Sequence, residues 1–284
     1  MSIEQKLRHD WFIHANDKNK NLYVSREKPN PSGAFSPCNM SPDDVDYEMS
    51  KGKNRKVLVI SGMEQKSFEY FVEKYGETYE FLSFFKCQLI SDFSPLEKLK
   101  NLEGVKIYWN IRANTLWDMS QNPKLEYLYL KDTKKIAYNP VILQKAKYLK
   151  TIEIRGDIYT PYPMQNLDWM RGMSSLEHVK LHQMKLEDKN TDVLASLPSL
   201  KMFDFPAGMF TTEEIAYMCA KYPHILGQSL RAYNTEDAML NDVRVCGYRK
   251  PGLDLPKGQA RLDKYIREFD ALVAKYKEEL RNNI

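Results

Sequence analysis

The sequence predicts an α/β fold in which short parallel strands stack into a solenoid. Three observations support this prediction. An apolar motif recurs through the middle of the chain. The distance between its copies is nearly constant. A strongly amphipathic helical pattern near the carboxyl terminus would cover one end of such a stack.

The recurring motif is clearest in the segment that follows Leu99. Leu102, Val105, Ile107 and Asn110 fit the pattern L-x-x-L-x-L-x-x-N. Six other segments carry apolar residues at the two strand positions of this pattern. The first strand residues of the seven copies are Leu58, Leu82, Val105, Leu128, Ile152, Val179 and Phe203. The intervals between them are 24, 23, 23, 24, 27 and 24 residues, so the pattern keeps its phase throughout.

The physics of a strand explains why the motif must stack. Alternate side chains of each strand point to one face, and a single repeat cannot bury that face alone. Neighbouring repeats therefore form a parallel sheet over one core. The last motif position turns the chain inward: Asn110 can bond backbone groups of the neighbouring turn, and Cys87 is a small, easily buried substitute. Thr133 and Asp157 can take the same polar role, whereas Met184 interrupts it.

The connections between strands are predicted to be short helices and turns. Residues 93–102 indicate a helical turn with proline at its first position, and residues 68–76 indicate a fuller helix. The 27-residue interval contains Pro161, where we expect a loop bulge. Thr211 and Glu214 form a capping box that starts a further helix.

The segment I-S-D-F-S-P-L-E-K-L-K-N-L-E-G-V-K-I, residues 90–107, resembles the leucine-rich-repeat family. The resemblance is to the short-repeat class found in bacterial internalins and in a eukaryotic phosphatase regulatory subunit, and it covers about residues 56–210. It implies a curved, right-handed solenoid with a concave parallel sheet and a helical or irregular convex side. It also implies partner binding as the usual role, and it brings no catalytic residues.

We divide the chain into three segments of one continuous structural unit. Residues 1–55 form an amino-terminal helical cap and a Pro-rich loop, residues 56–225 form the repeats, and residues 226–284 form a carboxyl-terminal strand-helix cap. A capping box at Ser2 predicts the first helix, and Ser41 can start another helical turn.

The carboxyl-terminal cap combines a strand with a long helix. Val243 and Val245 predict the strand, and the helix follows Pro256. Its apolar face comprises Leu262, Tyr265, Ile266, Phe269, Leu272, Val273, Tyr276 and Leu280. One interpretation is a cap that packs on the last repeat, and the other is a helix that forms a homodimer or docks a partner.

Composition restricts the class of protein. Hydrophobic residues make up 43% and charged residues 28%, with a net charge of +4, which fits a globular protein and disfavours nucleic-acid binding. We see no secretory signal and no run of about 18 apolar residues that would cross a membrane. The four cysteines form no C-x-x-C pair, which favours reduced thiols. We expect a cytoplasmic protein, of bacterial origin.

Strand alternation predicts which side chains face outward from the concave sheet. An aromatic zone near the amino-terminal half comprises Phe81, Phe85, Tyr108, Trp109, Tyr127 and Tyr129. A charged zone near the other half comprises Lys131, Glu153, Arg155, His178, Lys180, His182 and Asp204. Aromatic residues and arginine are common anchors of protein interfaces, so we expect partner contacts here. Two alternatives remain: the Pro-rich segment folds over the rings, or the assumed register is wrong.

Catalytic and metal sites are less well supported by the sequence. None of the common nucleotide-binding, hydrolase or metalloprotease motifs is present. His178 and His182 with an acidic neighbour could hold zinc, but solvated histidines are a simpler interpretation. Cys246 lies near Arg244 and Arg249, which could activate it, but a buried cysteine is the alternative. We expect no enzyme activity, no cofactor and no metal.

The function predicted from these features is a non-catalytic scaffold that binds a protein partner on its concave face. One alternative is an immunity or inhibitor protein that blocks a toxin or an enzyme. Another is a carbohydrate or small-ligand binder, since exposed rings also stack on sugars. We expect a monomer, with a homodimer through the carboxyl-terminal helix as the alternative.

Overall fold

The computed structural model describes residues 22–25, 27–29, 35–37, 40–50, 56–157, 159–236 and 240–282. The chain forms two compact units, unit 1 (Met1–Ile136) and unit 2 (Ala137–Ile284). The helix predicted to start at Ser2 lies outside the described residues, and the three-segment division of the chain stays a prediction.

Unit 1 consists of parallel strands joined by helices and 3₁₀ turns. Its strands are β1 (Leu22–Ser25), β2 (Glu27–Pro29), β3 (Phe35–Pro37), β4 (Val57–Ser61), β5 (Phe81–Phe85), β6 (Gly104–Tyr108) and β7 (Tyr127–Lys131). Its helices are α1 (Pro42–Ser50), α2 (Gln65–Tyr75) and α3 (Lys134–Tyr138), which contains the unit boundary. The 3₁₀ turns are Gly76–Thr78, Ser94–Lys98 and Met119–Gln121.

The register in unit 1 matches the predicted repeat. Strands β1, β4, β5, β6 and β7 pair in that order and in parallel, while β2 and β3 form an antiparallel pair. Leu58 pairs with Leu82, Leu82 with Val105, and Val105 with Leu128. All four side chains are fully buried, so the first four predicted strand positions are confirmed. Strand β1 was not predicted.

Unit 2 continues the same repeat and then departs from it. Its strands are β8 (Thr151–Arg155), β9 (Tyr162–Met164), β10 (His178–His182), β11 (Met184–Leu186), β12 (Met202–Asp204), β13 (Tyr233–Asn234), β14 (Val243–Val245) and β15 (Gly252–Leu253). Its helices are α4 (Thr212–Lys221) and α5 (Gln259–Asn282), and its 3₁₀ turns are Val141–Lys145, Asp168–Met170 and Asp192–Ser196.

Three strands of unit 2 carry the remaining repeats. Strands β8, β10 and β12 pair in parallel, with Ile152 beside Val179 and Val179 beside Phe203. The last three predicted strand positions are therefore confirmed. The strand predicted from Val243 and Val245 is β14, which pairs antiparallel with β13 and β15 rather than joining the parallel strands.

Pro161 lies in a loop, as expected, but the residues that follow it form a strand that was not predicted, β9, which pairs with β11. A close backbone approach at Gly156 accompanies the pairing. A Cβ atom on Gly156 would lie 2.2 Å from the carbonyl oxygen of Gln183, which also accepts a hydrogen bond from the Tyr162 N–H at 2.9 Å. Only glycine allows the two chain segments to come this close.

Buried asparagines hold the turns of unit 1, as predicted for Asn110. Its Nδ2 donates to the carbonyl oxygens of Cys87 (2.9 Å) and Ile90 (2.8 Å), and its Oδ1 accepts from the Ala113 N–H. These bonds satisfy backbone groups that the turn would otherwise bury without partners.

A second asparagine, Asn122, works in the same way and was not predicted. Its Nδ2 donates to the carbonyl oxygens of Leu96 and Leu99, and its Oδ1 accepts from Trp117 Nε1 at 2.7 Å. The polar role predicted for Thr133 is wrong, since its buried hydroxyl has no hydrogen-bond partner in the part of the chain that the structure describes. The same prediction is wrong for Asp157, which accepts N–H groups of its own loop instead.

Three of the predicted helices form in the described part of the chain and bury apolar residues. Helix α2 buries Phe68, Phe71 and Val72, and α4 begins at the capping box predicted from Thr211. Helix α5 buries Leu262 and Phe269 and contacts α4, where the rings of Tyr217 and Tyr276 lie 5.5 Å apart. Whether α5 also mediates dimerisation stays a prediction. None of the described helices combines the length and the hydrophobicity that a membrane span requires.

The first prediction concerns the buried turn at Asn110. Replacing Asn110 with alanine leaves two buried carbonyls and one N–H without partners, so we expect the free energy of unfolding to fall by about 2–4 kcal/mol. Urea denaturation with a cooperative readout measures the change. The exposed Asn114 lies in the same loop, and its replacement with alanine is the control, with an expected change within about 0.5 kcal/mol. Equal effects of the two substitutions would show that Asn110 does not hold the turn.

Candidate functional site

A left-handed residue follows the strand in five repeats. These residues are Gly62, Lys86, Trp109, Asp132 and Gln183, with φ between 49° and 74°. A residue other than glycine adopts this conformation at a cost of about 1 kcal/mol or more, so the surrounding structure must enforce it. No sequence pattern indicates these turns, because four of the five positions lack the glycine that usually marks them.

Backbone hydrogen bonds continue one residue beyond the strands and hold two of these positions in unit 1. The Lys86 N–H donates to the carbonyl oxygen of Tyr108 at 2.9 Å, and the Trp109 N–H donates to that of Lys131 at 2.8 Å. The carboxyl ends of β5, β6 and β7 therefore form a defined edge. We name it the aromatic–lysine edge, and it consists of Phe85, Lys86, Tyr108, Trp109 and Lys131.

Rings and ammonium groups alternate along the aromatic–lysine edge. The ring centroids of Phe85 and Tyr108 lie 4.9 Å apart. Lys86 Nζ lies 5.2 Å from the ring centroids of both Phe85 and Trp109, and Lys131 Nζ lies 4.5 Å from that of Tyr108. Each such contact contributes about 0.5–1 kcal/mol at an exposed site, so the five side chains restrain one another.

The aromatic–lysine edge reaches solvent. Trp109 is 41% exposed, and Phe85, Lys86, Tyr108 and Lys131 are half-buried. Four of these five residues were predicted as partner contacts. Lys86 was not, because its role follows from the left-handed turn and not from strand alternation.

The expected exposure of Phe81, Tyr127 and Tyr129 is wrong, because all three side chains are buried, at 4%, 4% and 3% exposure. They pack into one cluster with Val57. Gly104 leaves room for the Phe81 ring. A Cβ atom at position 104 would lie 2.7 Å from Phe81 Cδ1, so the ring occupies the space that a larger side chain would need. Strand alternation correctly predicts on which face of the sheet a side chain lies, but it does not predict which residues cover that face.

Whether the amino-terminal segment also covers these rings, as one alternative interpretation of the sequence proposed, stays a prediction. Most of that segment lies outside the described residues. Of its described part, β1 lies beside β4 in parallel register.

In unit 2 the predicted charged residues lie in register across three strands. Glu153 pairs with Lys180, and Lys180 pairs with Asp204, so charges alternate along one row. Arg155 pairs with His182 in the row nearest the carboxyl ends of β8 and β10. His178 lies at the other end of β10. All except Asp204 are half-buried.

His182 is held in its neutral form near pH 7. Burial, with the nearby charges of Arg155 and Lys180, lowers its pKa from 6.5 to about 4. The carboxylate of Glu153 lies 3.5 Å from His182 Nε2 and would favour protonation, but it does not overcome these effects.

The expected exposure of Asp204 is wrong, because this side chain is only 8% exposed. Its Oδ1 accepts a hydrogen bond from the Gln228 N–H, and burial raises the pKa of the carboxyl group. Gly227 allows this segment to approach β12, since a Cβ atom on it would lie 2.3 Å from the carbonyl oxygen of Phe203. Asp204 is thus enclosed by a segment that strand alternation does not describe.

A cavity of about 260 Å³ lies at the carboxyl ends of these strands, and we call it the unit 2 cavity. Three predicted site residues line it: Arg155, His182 and Asp204. Further polar lining comes from Gln228, Asn234 and Glu236. These three were not predicted, because they lie outside the repeats in a segment without periodicity.

Among the described residues there are three cysteines, Cys87, Cys219 and Cys246, and none of them is exposed. Cys246 is fully buried, which agrees with the second interpretation of the sequence. Burial raises the pKa of Cys87 to about 12 and that of Cys219 to about 11, so both thiols stay protonated at neutral pH. Within the described part of the chain, no three His, Cys, Asp or Glu side chains come together in a way that could hold a metal ion.

Comparison with known proteins gives only structural similarity. No family model and no curated protein matches the chain. Among solved structures, the chain is similar to Toll in the Toll–Spatzle complex from Drosophila, with a TM-score of 0.49, 13% identity, and coverage of 66% of this chain and 23% of that one. The glycosylated form of that complex gives a TM-score of 0.47 with the same identity and coverage.

The chain is also similar to internalin C2 from Listeria monocytogenes, with a TM-score of 0.37, 18% identity, and coverage of 54% of this chain and 62% of that one. The chain thus spans less than two thirds of the length of each of these proteins. The repeat of short parallel strands is shown by the chain's own strand register and by the buried turn at Asn110.

The second prediction concerns the protonation of His182. The pKa of His182 is about 4 in the folded protein and 6.5 in the unfolded chain. Between these two pH values the folded state therefore binds fewer protons than the unfolded chain. The contribution of His182 to stability is therefore present above pH 6.5 and is lost as the pH falls through about 4. An NMR titration of the imidazole, assigned by comparison with His182→Gln, is expected to show a midpoint near 4. A midpoint at 6.5 or above would show that burial and the neighbouring cations do not lower the pKa of His182.

Proposed function

We propose that this leucine-rich-repeat protein binds a protein partner through the aromatic–lysine edge of unit 1. The observation that carries the proposal is the set of partly exposed rings of Phe85, Tyr108 and Trp109, held in place by Lys86 and Lys131. Aromatic side chains dominate the energetics of protein interfaces, and their contribution is largest where they form a contiguous group.

The edge is organised before a partner arrives, which favours binding. Its residues lie at strand ends or one residue beyond them, where backbone hydrogen bonds fix Lys86 and Trp109. Ordering a flexible side chain at an interface costs about 0.5–1.5 kcal/mol, and a restrained ring avoids most of that cost.

The charge of the edge suggests the chemistry of the partner surface. Lys86 and Lys131 both carry positive charge and lie against ring faces. A partner surface with carboxylates near an apolar centre would pair with both ammonium groups. We therefore expect binding to weaken as ionic strength rises, since exposed charge pairs are screened by salt.

The half-buried charged residues of unit 2 are a second set of proposed partner contacts: Glu153, Arg155, His178, Lys180 and His182. The set combines one carboxylate, Glu153, with the cations Arg155 and Lys180, and such a mixed surface discriminates between partners by charge complementarity. Asp204 is not part of this set, because it is buried.

A protein partner fits the edge better than a sugar does. Carbohydrate binding uses open ring faces, whereas Lys86 Nζ lies near the rings of Phe85 and Trp109, and Lys131 Nζ lies near Tyr108. These lysines occupy ring face that a sugar would need, while a protein can pair with the lysines and the rings together.

The third prediction tests the edge directly. Affinity capture followed by mass spectrometry identifies the partner of the unmodified protein, and the purified pair then gives a dissociation constant. The double variant Tyr108→Ala and Trp109→Ala is expected to weaken this binding by at least about tenfold, because both anchors are removed.

The matched control for this prediction is Tyr148→Ala. Tyr148 is 46% exposed, close to the exposure of Trp109, but it lies outside the edge. Its replacement is expected to leave the affinity unchanged. If the double variant binds its partner as tightly as the unmodified protein does, the proposed surface is wrong.

A further inference from the structure

We propose that the unit 2 cavity binds a small zwitterion, a molecule that carries both an ammonium group and a carboxylate, of which a free α-amino acid is the simplest example. This inference goes beyond the proposed partner binding and does not rest on it, because it is argued from the unit 2 cavity and not from the aromatic–lysine edge. Two of the lining residues, Arg155 and His182, also belong to the second set of proposed partner contacts.

The lining of the cavity carries charges of both signs, with Arg155 cationic and Asp204 and Glu236 acidic. Arg155 ends β8 and Asp204 ends β12, and β10 pairs with both strands. These two residues are two strands apart and offset by two residues in register. Strands in a sheet lie about 4.8 Å apart and each residue advances about 3.3 Å, so the two backbones are about 12 Å apart. A carboxylate of the ligand is placed toward Arg155, and an ammonium group is placed toward Asp204 and Glu236.

Two lining residues each have a buried polar atom that finds no hydrogen-bond partner among the described residues. Arg155 Nε is a donor without an acceptor, and Gln228 Oε1 is an acceptor without a donor. A buried polar atom without a partner costs about 1–3 kcal/mol, and such atoms often mark a functional site. A ligand that brings both an acceptor and a donor has the chemistry to complement both residues.

The other ligand classes fit the cavity less well. Asp204 and Glu236 disfavour a simple anion, and Arg155 disfavours a simple cation. His182 does not change this balance, because it is neutral near pH 7. A sugar would need an exposed ring for stacking, but the ring of Phe205 is only 3% exposed.

The size of the cavity limits the ligand. Sites for drug-sized molecules span roughly 300–1,000 Å³, and the unit 2 cavity of about 260 Å³ lies just below that range. It is therefore large enough for a single amino acid but not for an oligopeptide or a nucleotide.

Isothermal titration calorimetry of the full chain tests the ligand class. The probes are free glycine, serine, glutamine, glutamate and lysine, with acetate, methylamine and N-acetylglutamine amide for comparison. At least one free amino acid is expected to bind saturably, and at least about tenfold more tightly than any comparison compound. If no free amino acid binds at concentrations up to about 10 mM, or if acetate or methylamine binds equally well, the proposal is overturned.

The affinity of site variants for the best-binding amino acid tests whether the unit 2 cavity is the binding site. Arg155→Met and Asp204→Asn are each expected to weaken binding at least about tenfold, since each removes the partner of one ligand charge. The matched controls are Lys185→Met and Asp270→Asn, which change exposed charges outside the cavity lining and are expected to leave the affinity unchanged.

Thermal melting of each variant separates loss of the site from loss of the fold. If Asp204→Asn does not fold, Arg155→Met and the probe series on the unmodified chain still decide the question. Unchanged affinity in folded Arg155→Met would overturn the proposal, as would a tenfold loss in either control.

Discussion

The structure depends on one constraint: each repeat must bury the alternate side chains of its strand against the strands of neighbouring repeats. In unit 1 the paired residues Leu58, Leu82, Val105 and Leu128 are fully buried. A slip of one residue would turn every side chain of a strand to the other face and would expose this row. The register of the sheet, and with it the position of every outward-facing residue, follows from this burial.

The aromatic–lysine edge and the unit 2 cavity, the two proposed functional sites, both lie at the carboxyl ends of the strands. In unit 1 the left-handed residues Lys86 and Trp109 turn the chain there and bring their side chains beside Phe85 and Tyr108. In unit 2 the segment that contains Gly227 closes over Asp204 and forms part of a polar cavity. Both arrangements use costly local features, a strained backbone in one and a buried carboxylate in the other, and such features tend to cluster at functional sites.

The sequence correctly predicted the features that depend on local patterns. It did not predict the burial of side chains that depends on tertiary contacts. The seven strand positions, the turn at Asn110 and the capping box at Thr211 follow from periodicity and from hydrogen-bonding chemistry within short segments. Burial of Phe81, Tyr127 and Tyr129 depends on a neighbouring glycine and on ring packing across strands, which alternation does not describe. The lining of the unit 2 cavity from outside the repeats has no periodic signal at all.

Site-specific photo-crosslinking tests most directly whether the aromatic–lysine edge is the partner surface. A photoreactive phenylalanine analogue is placed at position 109 in one protein and at position 148 in another, both of which hold exposed aromatic residues. If the edge binds a partner, position 109 gives one defined cross-linked protein and position 148 gives none. A cross-link to the same protein from position 148, with none from position 109, would contradict the account.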